Sequence, residues 1–471
     1  MTLLDNIIII FFFAGIMLFS IYQKRNIKNN NSYFLAGKSM HWFVVMLSIV
    51  ATETSVLTFV GIPAISYSKA NWNFLQVVFG YIFGRILVSY FFLPMYYKEG
   101  IVSIYQIIGF KFGKFNQKMA SLTFLITRLF ADGVRFLATA GIVSTITGWN
   151  LDFSILAIGI ITIFYSSMGG LKTILWVDGF QFFIYLSCGL IAIFHILNQD
   201  VFYIAASNSF NYQKIYDNGF LEVLSGSVSF FSLQGVLMSV LAGALMSIGS
   251  HGIDYLMVQR VLSTKDISSA RKAMIGSGVF VLIQFSIFLC VGTLILNGGF
   301  FNSSINSNNI FTQYIIDYIP SGLKGIMLAG ALSAAMSSLS SSINSLASST
   351  IIDIFEGKVN LNRSMLASVL WGALLTLFCM IFEYDPESSI IVLCLKIVSF
   401  TYGGLISLFI FARLDISFLK ESIKVGYIFS ILLLLVLAYF DISWEYFIGI
   451  SIISNFLIAC IIDLLIRRLE N

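Results

Sequence analysis

Hydrophobic residues fill most of this chain in runs of helical length, and short polar segments separate the runs. A helix needs roughly 20 mostly apolar residues to cross a bilayer core about 30 Å thick. About 13 segments of the 471-residue chain meet this requirement, which predicts an all-α polytopic membrane protein. The predicted spans are residues 4 to 22, 40 to 64, 72 to 95, 115 to 147, 152 to 168, 173 to 197, 231 to 251, 273 to 296, 323 to 350, 364 to 382, 389 to 412, 425 to 440 and 444 to 466.

Polar residues interrupt the second and seventh predicted spans. The second carries ATETS at 51 to 55, and the seventh ends in SIGSHGID at 247 to 254. Interruptions at matching positions of two halves are typical of inverted-repeat transporters, because unwound backbone is tolerated in a membrane only beside protein or a cavity. The predicted organisation is one transporter domain, residues 1–471, with repeats at 40–197 and 231–412 and peripheral segments at 1–39 and 413–471.

Composition and charge support a membrane location. The chain is 58% hydrophobic and 11% charged, and the first predicted span carries Asp5 at its start and the basic QKRNIK, 23 to 28, after it. Basic residues favour the cytoplasmic side, so the N-terminus is expected outside and the C-terminus in the cytoplasm. The net charge of +4 then reflects topology, not nucleic-acid binding. We expect a bacterial inner-membrane protein, surrounded by lipid and without an obligatory protein partner.

Nine serines lie in one helix-length segment, residues 329 to 349. Small residues let helices approach closely in lipid, so one interpretation is packing. The other is that hydroxyls here join carbonyls freed at the break of the second span to bind a small monovalent cation. Both interpretations stay open. The members of one helical face are Ser333, Ser337, Ser340, Ser341, Asn344, Ser345 and Ser348.

Ionisable residues inside predicted spans are candidates for function, because a charge there costs at least ~2.5 kcal/mol. Asp178 requires an ion or, alternatively, a membrane arginine as partner. Arg128, Asp132 and Arg135 recur at helical spacing and neutralise one another along one face, with one positive charge in excess. The other candidates are Arg85, Lys396 and Glu53. The five cysteines and three histidines show no spacing typical of a disulfide framework or a metal site, and we predict no catalytic residues.

Six stretches in order resemble the sodium/solute symporter family, which includes the sodium/galactose, sodium/proline and sialic acid symporters. The resemblance implies a LeuT-like fold of 5+5 inverted repeats, in which sodium drives uptake of a small solute by alternating access. It does not imply an enzyme. The stretches are YFLAGKSM (33 to 40), SIVATETSVLTFVG (48 to 61), FFLPMYYKEGIVSIYQ (91 to 106), YSSMGGLKTILWVDGFQ (165 to 181), DYLMVQRVLSTKD (254 to 266) and LSAAMSSLSSS (332 to 342).

The resemblance also implies one or two Na⁺ sites. The principal site would use the carbonyls of Ala51, Thr54 and Ala334 with the hydroxyls of Ser337 and Ser338.

A second sodium site, as in the sialic acid symporters, would pair Asp178 with Ser340 and Ser341 of the SSLSS pattern at 337 to 341. Proton coupling through Asp178 or Glu53 is the nearest alternative. A membrane sensor is less expected, since the chain ends at Asn471, soon after the last predicted span, without a fused kinase.

The substrate pocket departs from that of the sugar symporters. Glu53 stands in place of a substrate-binding asparagine, Val281 in place of a lysine, and Ser250 and His251 in place of an aromatic gate, so galactose specificity is not expected. The arginines at 85, 128 and 135 favour an anionic solute such as a carboxylate. The pocket residues implied by alignment and topology are Glu53, Ser55, Thr58, Gln76, Ser247, Ser250, His251 and Tyr402.

Overall fold

The computed structural model describes residues 2–25, 27–69, 71–98, 100–199, 230–301, 309–382, 390–414 and 418–470. These residues are helical apart from short connections and one isolated backbone bridge between Met40 and Thr264. The prediction of an all-α membrane protein is confirmed. The helices are α1 (Leu3–Lys24), α2 (Asn30–Leu35), α3 (Trp42–Glu53), α4 (Val56–Lys69), α5 (Phe74–Phe91), α6 (Leu93–Lys98), α7 (Tyr105–Phe112), α8 (Lys114–Thr147), α9 (Leu151–Leu197), α10 (Phe230–Ile248), α11 (Tyr255–Leu262), α12 (Ile267–Asn297), α13 (Ile310–Asp317), α14 (Leu323–Ser349), α15 (Leu361–Ile381), α16 (Ile390–Arg413), α17 (Lys420–Tyr439) and α18 (Phe447–Glu470).

The number of membrane spans agrees with the hydrophobic pattern once α9 is divided. Among the described residues, 11 helices are long and apolar enough to cross a membrane, and the bent pair α3–α4 makes 12. Helix α9 has 47 residues, so it is about 70 Å long, more than twice the bilayer core. Gly170 breaks it at φ 57° and ψ −167°, a conformation essentially limited to glycine. This break separates the predicted spans 152 to 168 and 173 to 197.

Both predicted helix interruptions are present. Helices α3 and α4 meet at Thr54 and Ser55 with a bend of 68°. The seventh span continues from α10 into a π-helical turn, Gly249–Ile253, and then an extended residue, Asp254, before α11 begins. Unwound backbone therefore lies inside the protein in both halves, as inverted repeats require. The repeat boundaries at 40–197 and 231–412 stay a prediction.

The serine-rich helix α14 lies at the centre of the protein. It packs against α1, α3, α8, α9 and α15, and nearly all of its residues are buried. Helix α1 lies outside the repeats but is firmly attached to α14. The Asp5 carboxylate accepts hydrogen bonds from the backbone N–H groups of Gly322 (2.8 Å) and Gly325 (2.9 Å), and so caps the start of α14.

Candidate functional site

The break of the second span lies directly against the serine face of α14. The Ser337 hydroxyl donates to the carbonyl oxygen of Ala51 at 2.8 Å, and the Ser338 hydroxyl donates to that of Thr52 at 3.2 Å. Both hydroxyls also reach the Ala334 carbonyl, at 3.3 and 3.4 Å. Residues from three helices line a small void here: Ala51, Thr54, Gln181, Phe182, Tyr185, Ser333, Ala334 and Ser337.

Four of the five residues predicted for the principal sodium site, Ala51, Ala334, Ser337 and Ser338, are in contact, whereas Thr54 lines the void and the carbonyl that meets Ser338 is that of Thr52. Neutral carbonyl and hydroxyl oxygens are hard ligands that suit a small monovalent cation which must also be released. They converge because α3 ends at Glu53, so carbonyls of its last turn lack the usual partners within a continuing helix. The assignment of a sodium site between the break and α14 stays a prediction.

Asp178 lies in a second polar cluster next to this site. One oxygen of its carboxylate accepts hydrogen bonds from Ser48 (2.6 Å) and Thr52 (3.4 Å). A guanidinium nitrogen of Arg260 lies 3.4 Å from the same oxygen, and both side chains are fully buried. Of the two partners expected for Asp178, an ion or a membrane arginine, the structure places an arginine there, although Arg260 belongs to the short helix α11 and not to a predicted span. The other carboxylate oxygen has no hydrogen-bond partner within the described residues.

Of the serines predicted for a second sodium, Ser341 belongs to the Asp178 cluster. Its hydroxyl lies 3.0 Å from that of Thr52 and in close contact with Arg260. The Ser340 hydroxyl instead donates to the Ser337 carbonyl at 3.2 Å. Thr52, which the sequence analysis did not single out, joins the two clusters: its carbonyl accepts from Ser338 and its hydroxyl donates to Asp178.

Glu53 and Arg85 form a third polar cluster at the break. They are in direct contact, and Arg85 also donates to the Ser277 hydroxyl at 2.9 Å. The His251 imidazole nitrogen Nε2 lies 3.7 Å from the Glu53 carboxylate. Arg85 is fully buried, whereas 17% of the Glu53 side chain is exposed. Arg85, which has no partner apparent in the sequence, thus has its negative partner in the predicted pocket.

Asp254 compensates the excess positive charge of the fourth span. Arg128 lies 3.1 Å from Asp132, as its spacing predicts, but it is also in direct contact with Asp254. The Tyr402 hydroxyl donates to Asp254 at 2.7 Å and accepts from Arg128 at 3.0 Å. The partner of the expected excess charge thus comes from the break of the seventh span, far away in sequence.

The other candidates have simpler surroundings. Arg135 is 26% exposed and lies 3.9 Å from Asp132. Ser247 donates to the Tyr81 carbonyl at 3.1 Å, and the Ser250 hydroxyl lies 2.8 Å from Nδ1 of His251. Four residues complete the predicted set: Ser55 and Gln76 are buried, Thr58 is half-buried at the start of α4, and Lys396 is exposed.

The central charges balance overall. Four arginines face four carboxylates, and every one of these arginines has a carboxylate oxygen within 4 Å. A buried charge is tolerated in a membrane protein when it is paired in this way. The arginines are 85, 128, 135 and 260, and the carboxylates are Glu53, Asp132, Asp178 and Asp254.

Comparison with known proteins identifies relatives of this chain. The sodium:solute symporter family model matches residues 33–413. Sodium-coupled monocarboxylate transporter 2 of Mus musculus is 26% identical over 351 residues, covering 72% of this chain and 55% of the transporter. The sodium/sialic acid symporter NanT of Aliivibrio fischeri is 26% identical over 389 residues, covering 79% of this chain and 74% of NanT. The chain spans about half the length of the monocarboxylate transporters it matches.

A solved structure supports the fold. A Na⁺-coupled sialic acid symporter in a substrate-bound outward-open state superposes with a TM-score of 0.82, at 21% identity and with 98% of each chain covered. The predicted LeuT-like fold is thereby confirmed, and sodium is supported as the ion by the family match and the named relatives. These relatives are transporters, in agreement with the prediction that the chain is not an enzyme. The chain belongs to the sodium:solute symporter family.

Proposed function

We propose that this protein is a sodium-coupled symporter that imports a small organic anion by alternating access. The observation that carries the proposal is the convergence of Ser337 and Ser338 on the carbonyls of Ala51 and Thr52. These oxygens come from the broken span of the first half and from α14 of the second. An ion bound between them stabilises whichever arrangement of the two halves brings the oxygens together.

Coupling follows from that differential stabilisation. Sodium shifts the equilibrium towards the solute-binding arrangement only if it binds that arrangement more tightly than the alternative. When the halves move apart, the site loses oxygens from one side, and sodium leaves. Uptake is then driven by the sodium gradient, with no chemical step by the protein.

Arg135 supports an anionic solute. Arg85, Arg128 and Arg260 are nearly or fully buried beside carboxylates. Arg135 instead has the longest of these charge contacts, 3.9 Å, and is 26% exposed. It also lines a small void with Ser338, a predicted sodium ligand. A carboxylate bound at Arg135 would therefore lie next to the coupling ion, and two of the relatives are named for acids.

The membrane orientation is part of the same proposal. Basic loops favour the cytoplasm, so the N-terminus lies outside and the C-terminus inside in this proposal, as the charge distribution predicts. A bacterial inner membrane fits this topology. A second sodium ion bound at Asp178 would compete with Arg260 for the carboxylate, so Arg260 would have to move away from it in part.

The test is uptake into proteoliposomes by the purified protein, with a panel of monocarboxylates, sialic acid, amino acids and neutral sugars. Each solute is measured with an inward sodium gradient, with potassium in its place, and with an inward proton gradient at constant sodium. We expect sodium-dependent uptake of an acid that is lost in Arg135→Gln and partly kept in Arg135→Lys. Uptake that follows the proton gradient and not sodium would overturn sodium coupling, and sodium-driven uptake of neutral sugars alone would overturn the anionic solute.

A further inference from the structure

A groove of about 420 Å³ opens on the membrane-facing surface, between the end of α14 and helix α15. Its apolar wall includes Leu366, Leu370 and Leu374, which are 55%, 60% and 41% exposed. These leucines are spaced four apart and therefore form one stripe along α15. Ile351 and Trp371 contribute to its lining, and the Trp371 indole donates to the Thr350 hydroxyl at 2.9 Å. The groove is therefore a built concavity in the surface that meets lipid chains.

Positive charge collects at one end of this groove. Arg363, in the first turn of α15, is exposed and belongs to the lining. The neighbouring connection holds Glu356, which lies 2.9 Å from Lys358, 3.1 Å from Lys114 and 3.7 Å from Lys118. Hydrogen bonds from Lys358 and Lys114 lower the pKa of Glu356 to about 2. One ionised carboxylate thus faces three lysines and a nearby arginine, which leaves the region positive at neutral pH.

A third basic segment reaches the same end. The Asn30 side chain donates to the Val359 carbonyl at 2.9 Å and accepts from the Ser364 hydroxyl at 2.9 Å. These contacts fix the start of α2 beside the groove, so Lys24 at the end of α1 and Arg25 and Lys28 in the connection that follows lie on the same side of the membrane. Positive charges from three parts of the chain therefore surround the polar end, on the predicted cytoplasmic side.

We propose that this groove is a binding site for an anionic phospholipid of the cytoplasmic leaflet. An acyl chain lies along the leucine stripe of α15, and the headgroup phosphate binds Arg363 at the polar end. Basic pockets between helices on the cytoplasmic side bind anionic headgroups, because the charge lies where the phosphates lie. The charge complementarity selects an anionic over a zwitterionic lipid, and the proposal does not depend on the transported solute.

A second groove on the same protein has a similar size but lacks the basic end of the first. It lies between α1 and α9, has a similar volume of about 380 Å³, and is lined by apolar residues and Gly15. Its lining carries no basic side chain. A lipid in that groove has contacts for its chains but none for a phosphate, so we expect it to bind without headgroup selectivity.

Native mass spectrometry of the full chain tests the proposal, with phosphatidylglycerol and phosphatidylcholine of identical acyl chains as probes. We expect retained phosphatidylglycerol to exceed phosphatidylcholine, and Arg363→Gln to reduce that preference roughly fivefold. Ala367→Trp, which fills the groove, should lower retention of phosphatidylglycerol without removing any charge. Arg468→Gln, which removes another exposed arginine on the predicted cytoplasmic side, should keep the preference.

Three outcomes would overturn the site. Equal retention of the two lipids by the unmodified protein would show that the groove does not select charge. An unchanged preference in Arg363→Gln would show that any preference for phosphatidylglycerol arises elsewhere on the protein. An equal loss in Arg363→Gln and Arg468→Gln would show a general attraction to positive charge on that face.

Discussion

Asp178 and Arg260 form a fully buried ion pair, with 3.4 Å between the carboxylate oxygen and the guanidinium nitrogen. Ser48 bridges the pair, since its hydroxyl donates to Asp178 at 2.6 Å and accepts from Arg260 at 3.0 Å. The pair joins the first half of the protein, through α9, to the short helix α11 that follows the break of the seventh span. Each charge offsets part of the cost of burying the other.

Breaking this pair should destabilise the protein strongly. Asp178→Ala leaves a buried guanidinium uncompensated, and we expect a loss of about 3–5 kcal/mol in the free energy of unfolding. The double variant Asp178→Leu with Arg260→Met should recover most of the loss, because neither charge remains. Unfolding in detergent of the single variants Asp178→Leu and Arg260→Met and of the double variant measures the coupling. Additive single effects, with no recovery in the double variant, would show that the two residues act separately. Lys265→Ala, at an exposed pair with Asp266, is the control that should change little.

The number of sodium ions that the protein binds can be measured with the conservative variant Asp178→Asn. Because Arg260 already supplies positive charge at Asp178, we expect a single site to dominate the sodium dependence of thermal stability. The Hill coefficient should be about one in the unmodified protein and stay there in Asp178→Asn. A coefficient near two that falls to one in Asp178→Asn would instead establish a second ion at Asp178.

Local patterns in the sequence predicted the spans, both helix breaks and the serine face, because each is a property of consecutive residues. A polar run in an apolar segment, such as 51 to 55, marks where the helix unwinds. The pairing of charges was predicted only where it is local, as in Arg128 and Asp132. Arg260 and Asp254 were missed as partners because they lie 82 and 126 positions from Asp178 and Arg128. Such contacts depend on how helices pack, which periodicity does not encode.

The hydroxyls of Ser337 and Ser338 should determine the sodium affinity. Each is a neutral ligand to a charged ion, so its removal should raise the sodium Kd by about tenfold to a hundredfold. The measurement is a sodium titration of the melting temperature, with potassium as the blank, for Ser337→Ala and Ser338→Ala. Ser345→Ala is the matched control, since that buried hydroxyl donates to the Ser342 carbonyl of its own helix. Unchanged sodium dependence in both site variants would mean that the serine face serves packing.

Asp353 should hold the end of α14 against the region of α7 and α8. Its carboxylate accepts hydrogen bonds from Ser103 (2.7 Å), Ser349 (2.9 Å) and Gln117 (2.8 Å), which join the end of α14 to the region of α7 and α8. Asp353→Ala leaves three donors without this acceptor, at about 1–3 kcal/mol for each buried one. We expect faster hydrogen exchange of the backbone amides of α7.

The control for Asp353 is Glu356→Ala, three positions further on, where the carboxylate faces lysines at the surface. Exchange in α7 should then match that of the unmodified protein. If Asp353→Ala also leaves this exchange unchanged, the three hydrogen bonds do not hold the two regions together.

The close approach of α5 and α10 should depend on two glycines. A Cβ atom added at Gly80 would lie 2.2 Å from the Val240 carbonyl oxygen, and one at Gly243 would lie 2.1 Å from that of Val77. Both obstacles are backbone atoms, so the helices must separate to admit a methyl group. This would also carry the Ser247 hydroxyl away from the Tyr81 carbonyl beside the predicted pocket.

We therefore expect Gly80→Ala and Gly243→Ala each to lower the free energy of unfolding by about 1–3 kcal/mol. The variant Gly141→Ala provides the comparison, because a Cβ there meets nothing within 4 Å and alanine favours a helix by about 1 kcal/mol over glycine. The melting temperature should therefore fall in Gly80→Ala and Gly243→Ala and rise in Gly141→Ala. Equal shifts at all three would mean that helix propensity, and not the contact between α5 and α10, governs these sites.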